Sequence, residues 1–319
     1  MKAMNKHKVI PLMGIPGTQL SEYTVKDHLT NSDIQCRTLE KLYNKFKPDG
    51  LFTFMDLTVE AEALGLKINF PENDTPSVID HSIKNKELLH EIINNYQGIS
   101  ARMKVFIDVV KKLKQKVNTS IGAYVIGPFS LAGEMNGVND LLLNTMMDPE
   151  FVKEMVDFSV DLISDYANKL FEAGADSVCI LEPTAMMLYG ELYELYSLQP
   201  FQKIFKKVDH KPLILHICGD TSHLVDGMCK SGASGLSLDS MVDFKEVIKR
   251  MPAEMELIGN LDPVEVFLNA GKEEVKAKTE KLMEEMKNYP NFVLSSGCDL
   301  PMATPLENVE AFMKAGKGK

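Results

Sequence analysis

The run Leu213-Ile214-Leu215-His216-Ile217-Cys218 ends an apolar segment with an imidazole and a thiol two residues apart. On a β-strand, alternate side chains leave the same face, so His216 and Cys218 can act on one object. A second thiol, Cys298, closes another apolar run and is preceded by Gly297. One imidazole and two thiolates make a soft nitrogen–sulfur donor set that suits Zn²⁺. Three protein ligands leave one coordination position open, which is the composition of a catalytic rather than a structural zinc site. Structural sites often use the CxxC spacing, which the chain lacks. The plain alternative is that both thiols are small buried hydrophobes and that His216 closes a loop. Cys229 falls in a helical pattern, and Cys36 and Cys179 read as structural.

Acidic and amide groups end the other apolar runs: Asp56, Glu182, Asp239, Asn260 and Asp262. Glu182 is a candidate fourth ligand or catalytic base, weighed against a role capping the next helix. Asp239 is a candidate for the same metal sphere, although for it and for Asp56 helix capping is the stronger reading.

Convergence of these groups requires a scaffold that brings strand ends together. Eight short apolar runs recur, over 9–14, 50–56, 121–127, 177–183, 213–219, 235–239, 256–263 and 292–299. Their continuous apolar character fits parallel strands covered on both faces. Amphipathic stretches lie between them. In 148–174, Asp148 suits the N-cap, Pro149 the first turn and Gly174 the C-terminal cap. The pattern over 263–289 reads as one helix, and 88–117 as two helices or one interrupted helix. Eight such units predict an α/β fold, a (β/α)8 TIM barrel forming one domain over residues 1–319. A doubly wound open sheet is the competing architecture. Residues 14–49 and 57–87, after the first two strands, read as extended loops with short helices. In a barrel, the C-terminal strand ends form the chemical face, where all the polar groups above would gather.

Other stretches carry weaker signals. Residues 12–20 carry glycines after a strand, but not in a phosphate-cradling pattern; they read as a mobile lid or an irregular loop. The stretch after Cys218 reads as a helix start capped by Asp220, Thr221 or Ser222. Methionines are numerous, 19 in all, and several fall near strand tops. Core filling is the default reading for them, and a flexible apolar rim for a large planar ligand or a partner is the alternative.

Composition narrows the partners. The formal charge is −10 with only three arginines, Arg37, Arg102 and Arg250, which disfavours nucleic acid, anionic membranes and polyanionic substrates. No apolar stretch reaches membrane-span length, and the basic-then-apolar segment 1–14 is too short and broken for a signal sequence. Five scattered cysteines and no export signal predict a reducing, cytoplasmic location.

The segments LILHICGDT, GNLDP and SSGCDLPMATPLENVEAFMKA, with FMDLTVEAEALGLKINFPENDTPSV over 54–78, resemble the uroporphyrinogen decarboxylase superfamily. More narrowly, they resemble its corrinoid-dependent branch, the methylcobamide:coenzyme M methyltransferases. The resemblance runs from about residue 9 to the C-terminus, and its specific part is the His-x-Cys with the late Cys. It implies a zinc-dependent methyl transfer with His216, Cys218 and Cys298 as ligands, and a thiol such as coenzyme M as acceptor. The methylated corrinoid would come on a separate protein, because no corrinoid-binding module is evident in this chain. Two other readings follow from the same resemblance. One runs the methyl group the other way, from a methyl ether or similar donor to Co(I) corrinoid. The other is decarboxylation, for which Asp56 matches the decarboxylases' essential aspartate. The decarboxylases' arginine motif after the first strand is missing, however: that position reads MGIPGTQLSEY.

Overall fold

The computed structural model describes residues 7–209 and 211–318; the basic segment 1–6 discussed above lies outside them. All eight apolar runs form strands: β1 (Lys8–Val9), β2 (Gly50–Phe52), β3 (Ser120–Ile126), β4 (Ser177–Leu181), β5 (Leu213–Ile217), β6 (Gly235–Leu238), β7 (Glu256–Leu261) and β8 (Phe292–Ser296). Neighbours from β2 to β8 pair in parallel in chain order, and β8 pairs with β1 through Lys8↔Val293 and Val9↔Leu294. That pairing of last strand with first rules out the open doubly wound sheet. The ring closes between β1 and β2 by one backbone bond, from Asp49 N–H to the Val9 carbonyl at 3.0 Å, and one from Val9 N–H to the Asp49 carboxylate at 2.9 Å. The fold is a (β/α)8 TIM barrel.

The helix Pro149–Ala173 has the predicted ends. The Asp148 carboxylate accepts the Phe151 N–H at 3.1 Å, and Gly174 takes the left-handed conformation at φ 110°. Other helices differ from expectation. The stretch 263–289 is broken: a π-turn over Pro263–Leu268 gives way at Asn269–Gly271 to the helix Lys272–Met286. The stretch 88–117 resolves into Lys86–Asn95 and Met103–Lys114. After Cys218 the only helix is Val225–Met228, with no side-chain cap; Asp220 instead closes a turn by accepting from Ser222. The first two connections are more ordered than loops. Residues 14–49 contain the 15-residue helix Ser32–Phe46, and 57–87 contain the helix Val59–Ala63 and a hairpin pairing Ile68–Asn69 with Ser77–Val78. Residues 12–20 are no lid. Ile15–Leu20 is a 3-10 turn whose first four residues are buried, and Gln19 fastens it to the carbonyls of Met302 and Thr304.

Apolar side chains form two separate clusters. The larger lies between strands and helices; the smaller, including Leu12, Tyr124, Cys179, Ile214, Ile258 and Val293, lies inside the barrel. Among the described residues, no helix is long and apolar enough to cross a membrane.

Above β2 and β3 sits a buried charged network. Arg102 donates to Asp56, to Glu62 at 2.6 Å and to the Thr58 hydroxyl at 2.8 Å. Asp56 also accepts from the Thr58 N–H and hydroxyl, so it serves the backbone as a cap would. Beside it, Glu60 is buried; one carboxylate oxygen accepts the Ile126 N–H at 3.0 Å and the other has no partner. Burial pushes its pKa up to about 8, with Asp56 adding to the rise, Arg102 opposing it, and Tyr96 and Tyr166 nearby. The folded state therefore keeps a proton that the unfolded chain releases above about pH 4.5. Stability should fall as pH rises from there to about 8, by up to about 5 kcal/mol. Glu60→Gln should flatten that decline, as read from urea midpoints across the window.

Candidate metal centre

β5 carries His216 near its C-terminal end, its register partners being Leu181 of β4 and Ser237 of β6. The imidazole Nδ1 lies 3.1 Å from the Ser237 carbonyl and 3.0 Å from the Ser237 hydroxyl. These contacts fix the ring and leave Nε2 as the donor facing the thiols; metal-binding histidines are oriented in the same way, by a partner on the other ring nitrogen. Nε2 stands 3.0 Å from the Cys218 sulfur and 3.6 Å from the Cys298 sulfur. The two sulfurs are 3.6 Å apart. All three donor atoms lie within 4.8 Å of one another, and they come from two strand ends 80 residues apart in sequence.

The edges of this triangle can be set against zinc. With Zn–S near 2.3 Å and Zn–N near 2.0–2.1 Å, a tetrahedral site has S···S of about 3.8 Å and N···S of about 3.5 Å. The observed edges fit one face of such a tetrahedron, with the His216–Cys218 edge somewhat short. The Cys298 thiol hydrogen-bonds to Cys218, which holds the Cys218 thiol below its ordinary pKa; the same bond and burial push Cys298 up. His216 is buried, and both cysteines are half-buried.

Local sequence explains how the thiols come so close. Gly297 precedes Cys298 because a Cβ there would stand 2.7 Å from the Ser240 backbone nitrogen. The loop after β8 can pass the loop after β6 only without a side chain. Asp239 does not join the trio. One of its carboxylate oxygens accepts the Gly219 N–H at 3.1 Å, and the other accepts from Ser240 and Met241. It thereby ties the loop carrying Cys218 to the end of β6.

Glu182 is also engaged elsewhere. Its carboxylate accepts the N–H groups of Phe129 at 3.1 Å and Ser130 at 2.6 Å, at the start of the helix Pro128–Asn136. It is a cap, but of the helix after β3 rather than of the next one. Burial pushes its pKa up to about 7 against the pull of those donors. Gly127 makes the contact possible, since a Cβ there would meet the Glu182 carboxyl at 2.3 Å. Asp262 caps the Pro263–Leu268 turn, and Asn260 bonds the carbonyls of Asp239 and Val242. Sequence reasoning missed Ser237. Its signal was available: it sits in the same register as His216, one strand away.

Residues 16–318 match the sequence profile of the uroporphyrinogen decarboxylase (URO-D) family. The chain belongs to that family. It is 34% identical over 271 residues to the methylcobamide:CoM methyltransferase MtbA of Methanosarcina mazei, covering 82% of this chain and 77% of that protein. Against a uroporphyrinogen decarboxylase of Prochlorococcus marinus the identity is 27% over 306 residues, covering 92% and 86%. In structure it superposes on a methyltransferase from Methanosarcina mazei with a TM-score of 0.88 at 22% identity, over 98% of this chain and 94% of that one. Within the family, the chain is a methyltransferase.

Proposed function

We propose that this protein is a zinc-dependent, corrinoid-linked methyltransferase that passes a methyl group from a methylated corrinoid, carried on a separate protein, to a thiol such as coenzyme M. The observation that carries this reading is the convergence of His216, Cys218 and Cys298 at the chemical end of the barrel. A zinc ion held there would lower the pKa of a bound thiol and present its sulfur as a nucleophile. In the transfer, the sulfur gains the methyl group, the electron pair of the cobalt–carbon bond stays on cobalt, and the thiol proton passes to solvent.

The chain's own residues do the positioning. Ser237 fixes the His216 ring, Asp239 anchors the Cys218 loop, and Gly297 lets Cys298 reach the other two. Glu182 holds the start of the Pro128–Asn136 helix beside the mouth. Decarboxylation is poorly served, because the Asp56 carboxylate is buried and taken up by Arg102 and Thr58. Five free thiols suit a reducing cytoplasm.

The test mixes zinc-loaded protein, methylcob(III)alamin and coenzyme M and follows corrinoid absorbance. Thiol-dependent loss of the methylcobalamin spectrum is the expected result. The reading fails if coenzyme M and homocysteine both leave the spectrum unchanged.

A further inference from the structure

A TIM barrel is normally filled by layers of bulky branched side chains. Here several positions lining the lumen carry small residues, namely Gly50, Ser120, Ser177, Cys179 and Ser237, and the lumen holds a cavity of about 390 Å³. It opens at the N-terminal ends of the strands, among the exposed residues Lys8, Asp49, Ser120 and Glu254, and reaches up to His216 and Ser237. Exposure falls along that path. Ile10 and Phe52 are half-buried, Tyr124 is 7% exposed, Cys179 4% and His216 1%.

The walls are apolar, with Ile10, Phe52, Ile214 and Ile258 around the space. One polar atom stands out: the Tyr124 hydroxyl is buried, has no hydrogen-bond partner, and belongs to a side chain lining the cavity. A buried hydroxyl without a partner costs free energy, so an occupant that accepts its hydrogen bond is favoured. The Phe52 and Tyr124 rings lie 5.0 Å apart and offer planar surface. Among the described residues lining the cavity, the one lysine, Lys8, is paired with Glu256 at 2.6 Å. Of the other rim carboxylates, Asp49 and Asp176 face Lys317 and Lys114, and Glu254 is exposed to solvent. Nothing in the lumen would compensate an ionic ligand there.

We propose that the lumen is a second binding pocket, entered from the N-terminal face, for a small uncharged molecule with an apolar body and one oxygen acceptor. The volume falls in the range of small-ligand sites. An occupant would donate nothing essential; it would accept from Tyr124 and lie against the underside of Ser237, the residue that contacts the His216 ring.

The experiment is saturation-transfer NMR on the full zinc-loaded chain, with phenol and benzyl alcohol as neutral probes and benzoate as the anion. Both neutral probes should bind saturably in the millimolar range, and benzoate should not. Tyr124→Phe should weaken phenol roughly tenfold. Ser177→Phe, which narrows the entrance, should abolish it; Ile10→Phe is the second plug if the first folds poorly by thermal midpoint. The proposal is overturned if no probe binds saturably, meaning the lumen holds water only. It is equally overturned if binding survives both plugs. Neither readout depends on methyl transfer, so failure here is separate from failure of the enzymatic reading.

Discussion

Cys298→Ser protein should purify with far less than one equivalent of zinc and lose thiol-dependent demethylation of methylcobalamin by more than about a hundredfold. That is beyond the loss of about 10–100-fold expected from disturbing a residue that only hydrogen-bonds to a ligand. Cys298 supplies one of three donors, and a hydroxyl is a poor substitute for a thiolate at a soft metal. Cys218 and His216 would remain 3.0 Å apart, but two ligands do not hold zinc tightly. Metal analysis after dialysis, with zinc X-ray absorption to count sulfur neighbours, reads the effect directly. Cys229→Ser is the control. That thiol follows the short Val225–Met228 helix and takes no part in the trio, so zinc and activity should both persist. Retention of zinc by the Cys298 variant would remove the basis for a site shared between β5 and β8.

The second large effect concerns stability. Arg102→Ala should lower the unfolding free energy by about 3–5 kcal/mol, because it leaves Asp56 buried with its charge uncompensated. For a chain of 319 residues that corresponds to a fall of roughly 4–8 °C in melting temperature. The double variant Asp56→Leu/Arg102→Met should recover much of the loss, since removing both charges removes the penalty as well. Scanning calorimetry of the two single variants and the double distinguishes this from simple loss of packing. If the double variant is no better than either single, the charges are not what the site depends on.

Much of the molecule was legible because strand and helix leave different periodicities. Each of the eight runs is apolar on both faces and ends in Gly, Pro or an acid, and each became a strand. Asp148, Pro149 and Gly174 marked a helix at both ends because capping is local chemistry. The trio was legible for a related reason: His216 and Cys218 stand two residues apart at the end of β5, and Cys298 follows the end of β8. What escaped depends on contacts across the chain. Glu182 caps a helix that begins 54 residues earlier, so no local spacing reveals it. Arg102 meets Asp56 from 46 residues away. The break at Asn269–Gly271 did carry a signal, a glycine inside an apparently continuous helical pattern, and the periodicity on either side masked it. The lumen could not be read at all, because its width depends on which small side chains share a layer once eight strands are in register.

The joint between β1 and β2 has a bearing beyond closing the barrel. Everywhere else the ring is stitched by ladders of backbone hydrogen bonds; here one carbonyl and one carboxylate accept the two bonds that hold it. Rings under thermal agitation part at their weakest link, and amides there shed protection first. Asp49, which makes both bonds of that link with Val9, also stands at the lumen rim with its neighbours Gly50 and Lys8. The barrel's thinnest seam and the rim of its lumen are thus the same place, at the opposite end of the strands from the candidate ligands His216, Cys218 and Cys298.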